Sequence, residues 1–167
     1  MLQQNLELTN FKNMSEKATE LGVTRLVPVI SDRTIVRLAP GDGAAKRARW
    51  QRIAEEAARQ SDAKWLPEIL APVSFADSLP LVRATTCFVG ALADPPPEPV
   101  GAALARLANA ADVAVYVGPE GDFTPQELSA LREVATPVSF GSTVLRAETA
   151  AIYGISALKT FLDVRAC

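Results

Sequence analysis

The sequence contains no histidine. That removes the commonest general base, imidazole metal ligation and every nucleophile activated by an imidazole. Cysteine is scarce: Cys87 lies in an apparent strand and Cys167 is the last residue. Two such thiols predict neither a disulfide framework nor a metal cluster, so no metal is expected. No apolar run approaches the roughly 18 residues of a membrane helix. The opening Met-Leu-Gln-Gln-Asn-Leu-Glu-Leu lacks the basic and apolar regions of a signal peptide. An excess of positive charge is lacking too, the net charge being −2. A stand-alone nucleic-acid binder is usually basic, so any such contact has to use a local patch or a part outside this sequence. Together these absences lead us to expect a cytoplasmic protein that does not enter a membrane.

What is present suits one globular domain. The chain has 167 residues, 49% apolar and 22% charged, enough for a core of its own. Residues 1–11 show no clear pattern. Lys12 to Leu21 reads as a helix, with Phe11, Met14, Ala18 and Leu21 on one stripe and Gly22 as its stop. Thr24 to Ile30 reads as a strand whose Pro28 needs an edge, or a place where the ladder donor is not required. Pro40 to Gln60 reads as a long helix buried along Trp50, Ile53, Ala54, Ala57 and Ala58. Its Lys46, Arg47, Arg49, Arg52 and Arg59 form either an ordinary solvated face or a phosphate-contacting patch. A short helix is expected near 75–82. Further strands are expected at Thr85–Leu92, Asp112–Val117 and Pro137–Phe140, alternating with helices at Gly101–Ala110, from Thr124 to about Ala135, and at Ala147–Leu162. Asp94 to Pro99, with four prolines, reads as a stiff surface loop. Thr124-Pro-Gln-Glu127 is a capping box with proline at the first helical position. The alternation predicts an α/β fold, a mostly parallel sheet with helices on both faces.

Three strand-to-helix turns carry the chemistry. Gly118-Pro-Glu-Gly121 brings glycines that let a ligand approach the backbone, just before a capped helix. It is neither a Walker loop nor a dinucleotide fingerprint. Phe140-Gly-Ser-Thr-Val-Leu-Arg146 follows the next strand and sets a cation at a helix N-terminus, the end that disfavours cations. Arg146 therefore calls for a partner: Glu120, Glu148 or a ligand carboxylate. Glu148 suits that helix end and has a simpler role as dipole compensation. Gly90-Ala91-Leu92 ends a third strand. Three turns at strand ends predict one cleft.

At these residues the sequence strongly resembles the SPOUT-superfamily methyltransferases that methylate N3 of a uridine in small-subunit ribosomal RNA, the RsmE family. The resemblance rests on Gly118-Pro-Glu-Gly121 followed by Phe140-Gly-x-x-Val-Leu-Arg-Ala-Glu-Thr-Ala150. Glu16-Lys-Ala-Thr-Glu-Leu-Gly-Val23, Ser31-Asp-Arg33, Arg49-Trp50-x-x-Ile53 and Glu56-Ala-Ala-x-Gln60 add to it. Together these span roughly residues 12–160 in the family's order. The resemblance implies S-adenosyl-L-methionine as cofactor, a C-terminal deep trefoil knot from strand 85–92 through the final helix, and a homodimer with the site near its interface. It implies that the cofactor is held by Gly90, Ala91, Leu92, Gly118, Pro119, Glu120, Gly121, Phe140, Gly141, Ser142, Val144, Leu145, Arg146 and Thr149. Arg146 becomes the electrostatic stabiliser, with Glu148 or Glu120 accepting a proton or orienting the cofactor. Arg33, Arg49, Gln60 and Lys64 become contacts to 16S ribosomal RNA. The final helix, with Ala150, Ala151, Ile152, Ile155 and Ala157, becomes either a dimer face or core packing.

The sequence also departs from the family's pattern. Asp122 stands where the family commonly has a second glycine, and aspartate tolerates the left-handed conformation that such a turn needs. Ala63 stands where an arginine is common, with Lys64 beside it. Family members carry an N-terminal PUA-like barrel, for which 1–11 is too short. Residues 1–11 are therefore expected to be a remnant or extension, and 12–167 the SPOUT domain. Two alternatives stay open: a cofactor-binding, dimerising module inactive on RNA, or a SPOUT enzyme acting on another RNA.

Overall fold

The computed structural model describes residues 2–5, 8–34, 39, 41–83, 85–92, 95–107, 112–119 and 121–166. In chain order they form β1 (Leu2–Asn5), α1 (Leu8–Glu20), β2 (Arg25–Ile30), α2 (Asp42–Gln60), β3 (Glu68–Ile69), β4 (Val73–Ser74) and α3 (Phe75–Ser78). A 3₁₀ turn, Leu79–Val82, leads into β5 (Thr86–Gly90), α4 (Val100–Ala105), β6 (Val113–Val117), α5 (Pro125–Arg132), β7 (Thr136–Val138) and α6 (Ala147–Ala166). The strands make one sheet in the order β3-β2-β1-β6-β5-β7, with β4 also on β2. Every pairing among them is parallel.

A parallel sheet buried on both faces needs strands that are apolar throughout, and β6 shows why. Val113, Val115 and Val117 point into one core, which α1, α2, α4 and α6 cover. Ala114 and Tyr116 point into the other, covered by α3, the 3₁₀ turn and α5. Side chains alternate faces along a strand, so one five-residue run supplies both cores. No helix among the described residues is long and apolar enough to cross a membrane.

Two local features follow from residue chemistry. Thr124 accepts a hydrogen bond from the Glu127 N–H while Glu127 accepts one from the Thr124 N–H, closing the capping box that starts α5. Pro28 lies inside the sheet. The Thr24 and Leu26 carbonyls accept from Glu68 and Leu70, so alternate residues of β2 face that neighbour. Pro28 faces the same side, in the gap between the pairings to β3 and to β4, where no ladder donor is needed.

The structure differs from expectation at the front of the chain. Residues 1–11, which show no pattern in sequence, contain β1, and β1 lies mid-sheet between β2 and β6. The helix expected at Lys12 starts at Leu8. Leu-Gln-Gln-Asn has little intrinsic strand preference, but a parallel neighbour on each side overrides propensity. In α6, Ala150, Ala151 and Ile155 pack into the chain's own core, while Ile152 and Tyr153 are exposed.

Candidate functional site

Strands β6, β5 and β7 are neighbours, and the three chemistry-bearing turns leave their carboxyl ends side by side. They enclose one cleft, lined by Gly90, Ala91 and Leu92 of the first turn and Gly118, Pro119 and Asp122 of the second. Phe140, Gly141, Val144 and Leu145 of the third complete the walls. A crevice beyond the carboxyl ends of parallel strands is where open α/β sheets bind ligands. Hydrogen bonds fix the walls to one another. The Ala91 N–H donates to the Val138 carbonyl at 3.1 Å, joining the first turn to β7. The Leu92 N–H donates to the Asp122 carboxylate at 3.3 Å, joining the first turn to the second.

Asp122 occupies the left-handed region, with φ 58°. Its other oxygen accepts from the Phe123 N–H at 2.8 Å. The aspartate thus keeps the backbone conformation that a glycine would adopt and adds a carboxylate linking two walls. Gly118 has a structural reason of its own: a Cβ there would lie 3.0 Å from Asp122 and 3.3 Å from Phe123. Gly118 also lines the cleft, so this turn is closely packed on its inner side and open to the cleft. Gly90 is similar, since a Cβ would lie 2.3 Å from the Phe140 ring. That ring also faces Gly154 and packs against Tyr153, with centroids 5.7 Å apart.

The remaining site residues are placed as follows. Gly121 lies beside Arg33, whose guanidinium donates to the Gly121 carbonyl. The adjoining Asp32 N–H donates to buried Glu127 at 3.0 Å, so the Ser31–Arg33 loop is docked on the second turn. Ser142 lines an adjoining groove, with Pro96 and Pro97 opposite. Arg146 and Thr149 are exposed and Glu148 half-buried, at the start of α6. Among the described residues the Arg146 guanidinium has no ion-pair or hydrogen-bond partner; Glu120, one of its expected partners, lies outside them. Arg49 and Gln60 are exposed on α2 and Lys64 just after it. Trp65 nearby donates to the Gly22 carbonyl, which precedes β2. Gln60 and Lys64 therefore lie at the amino ends of the strands, opposite the cleft.

Val117, Ser139, Thr143, Ala147 and Ala150 also line the cleft. Each adjoins a residue singled out in sequence, but small or apolar side chains such as Val117, Ala147 and Ala150 carry no chemical signal.

The fit for an organic cofactor rests on this geometry. The cleft has an apolar floor and backbone-rich walls, and exposed Arg146 follows its lining residue Leu145 in the chain. Few precisely placed polar groups over an apolar lining suit a small-molecule cofactor.

Comparison with known proteins agrees with the fold. The RNA methyltransferase domain profile matches residues 2–159. The ribosomal RNA small subunit methyltransferase E of Synechocystis is 34% identical over 161 residues, 93% of this chain and 50% of that protein. The crystal structure of a ribosomal RNA small subunit methyltransferase E from Neisseria gonorrhoeae, bound to S-adenosyl methionine, superposes with a TM-score of 0.81 at 30% identity. It covers 95% of this chain, which in turn covers 64% of it. A TrmH/SpoU tRNA modifying enzyme from A. aeolicus, 11% identical with a TM-score of 0.63, shares the fold alone. This chain spans about half to two thirds of the length of these methyltransferase E relatives. On the profile match and this geometry, the chain belongs to the RNA methyltransferase domain family, and the relatives it resembles are of the methyltransferase E type.

Proposed function

We propose that the chain binds S-adenosyl-L-methionine in the three-turn cleft and methylates N3 of a uridine in small-subunit (16S) ribosomal RNA. One observation carries this: the turns after β5, β6 and β7 converge on a single cleft, and Arg146 and Glu148 adjoin its lining residues Leu145 and Ala147 in the chain. Gly90, Ala91, Leu92, Gly118, Pro119, Gly141, Val144 and Leu145 would hold the cofactor. When bound, it supplies an electrophilic methyl group. The work left to the protein is positioning and charge. Uracil N3 is weakly acidic, and its proton has to leave as the methyl arrives. A carboxylate oxygen of Glu148 or Glu120 takes that proton. The Arg146 guanidinium stabilises the negative charge that develops on the uracil carbonyl oxygens. Arg33 stands beside the second turn, where it can meet an RNA phosphate.

The same reading includes a deep trefoil knot. Its support is the clamp on Ser139, whose N–H donates to the Glu98 carbonyl and whose carbonyl accepts from Val100. The segment after β5 thus wraps the outer side of β7 just before the chain turns into α6. The reading also includes a homodimer, supported by an apolar groove between α4 and α6 that contains exposed Tyr153 and Val164.

Calorimetric titration with S-adenosyl-L-methionine tests the cofactor, and absence of heat from folded protein would sink the proposal. Mass spectrometry for 3-methyluridine in small subunits tests the reaction. Arg146→Ala should lower methyl transfer by ~10²-fold, as loss of one transition-state donor does, with little change in cofactor affinity. Full turnover by that variant would remove Arg146 from the mechanism.

A further inference from the structure

The proline stretch has no part in the function as stated, yet it borders the cleft. A groove of about 790 Å³ runs between Pro96 and Pro97 on one side and Ser142, Thr143 and Val144 on the other. It shares Ala91, Leu92, Ser139, Gly141, Thr143 and Val144 with the cofactor cleft, so the two spaces are continuous. Its proline wall is rigid for three reasons. Proline fixes its own φ. Ser139 clamps the backbone on both sides of Pro99, at 2.8 and 3.0 Å. Glu98 holds a two-pronged ion pair with Arg106, which keeps its carboxyl below the usual carboxylate range.

From this arrangement we infer that the groove is the subsite for the target base, an unstacked pyrimidine ring of single-stranded RNA. The inference rests on the RNA-methylating function proposed for the same site and adds where the substrate sits. The lining decides the occupant. Among the described lining residues there is no cation, and the single carboxylate, Glu98, is already neutralised. A phosphate finds no partner there; a neutral flat ring does. Leu92 is 56% exposed and Val144 75% exposed. Two large apolar side chains this open invite a covering group. Enzymes that act on a base take it out of its stack and hold it between apolar faces. Here those faces are the Pro96–Pro97 rings and the Leu92–Val144 pair. The Ser142 and Thr143 hydroxyls, each able to donate and accept, can meet the carbonyl edge of uracil. Continuity with the cleft sets that ring against the methyl donor.

Replacing both rings tests the wall. The variant Pro96→Ala/Pro97→Ala should keep its affinity for S-adenosyl-L-methionine by calorimetry and lose about tenfold or more in kcat/KM for RNA, the scale of one lost stacking contact. Unchanged RNA kinetics would overturn the inference. So would a matching loss of cofactor affinity, which would give the wall to the cofactor instead. A second measurement needs no turnover. A single-stranded RNA dodecamer carrying one 4-thiouridine is irradiated with the cofactor-loaded chain. Crosslinks are expected in peptides spanning 92–99 or 141–144; crosslinks confined to other surfaces, or none, would refute the subsite. Wild-type chain that fails to bind the cofactor in the same titration would instead sink the parent function, so the two failures are distinguishable.

Discussion

The Phe140 ring is the part of the cleft whose removal or displacement has the most calculable effect. It is wedged between two glycines that are 64 residues apart in the chain. A methyl group at position 90 would lie 2.3, 2.9 and 3.0 Å from three ring carbons, where ordinary contact begins near 3.4 Å. The ring edge therefore has to retreat by about 1 Å. It cannot do so freely, because a Cβ at Gly154 would already be 3.1 Å from its tip, and Tyr153 packs beside it. Gly90→Ala should thus cost about 1–3 kcal/mol, the usual scale of overpacking. For a chain of this size that lowers Tm by roughly 2–4 °C per kcal/mol. The displaced ring carries Gly141 to Leu145 with it, so affinity for S-adenosyl-L-methionine should weaken by about tenfold, equivalent to ~1.4 kcal/mol. Thermal denaturation reads the first effect and calorimetry the second. Phe140→Leu in the same chain should restore part of the stability, with a coupling of about 0.5–3 kcal/mol in the double-mutant cycle. If Gly90→Ala leaves both Tm and affinity unchanged, the ring is not wedged and the argument fails.

Two further outcomes follow from buried groups. The Glu127 carboxylate, 5% exposed, accepts from the Thr124 and Asp32 N–H groups and binds the Thr124 hydroxyl. Glu127→Gln replaces one accepting oxygen by an amide NH2, which sets a donor against donors, and should cost about 1–3 kcal/mol in urea denaturation with an unchanged slope; a loss within experimental error would show the network to be idle. Burial pushes the Cys87 thiol up from 9.0 to about 12. Since the neutral thiol is favoured in the folded state, its contribution to stability is intact below pH 9 and is lost as pH rises from 9 towards 12. Native Cys87 should accordingly resist iodoacetamide at pH 8 and react after denaturation, and rapid labelling of the native thiol would contradict its burial.

Local chemistry made some of this structure legible in sequence. Thr124, Pro125 and Glu127 sit within one helical turn, so their mutual bonds need nothing from the rest of the chain. The three glycine turns were legible for a similar reason, since each joins an apolar run to an amphipathic one. Asp122 was legible as a residue able to take a left-handed turn, and it does. What was not legible depends on long-range pairing. Nothing in Leu-Gln-Gln-Asn marks a mid-sheet strand, because its neighbours β2 and β6 supply the hydrogen bonds. The purpose of Gly90 was hidden for the same reason: its close neighbour is Phe140, fifty residues on. The Arg33 loop could be named from its residues, but only the fold seats it on Gly121. Gln60 and Lys64 look like part of the same set in sequence, and the fold puts them at the amino ends of the strands.

The mid-sheet position of β1 has a consequence for how the protein is made. Leu2 pairs with Leu26 on one side and Val115 on the other. Its first partner leaves the ribosome soon after it, but its second follows more than a hundred residues later. At ordinary synthesis rates that is a delay of roughly 6–20 s. Throughout that interval β1 and β2 present an unpaired edge, the kind of surface that recruits other chains. Only when β6 arrives does the sheet close across its middle, joining the half that carries β3 to the half that carries the cleft. The order in which the strands are translated therefore leaves the half that carries the cleft to complete a sheet begun by the other.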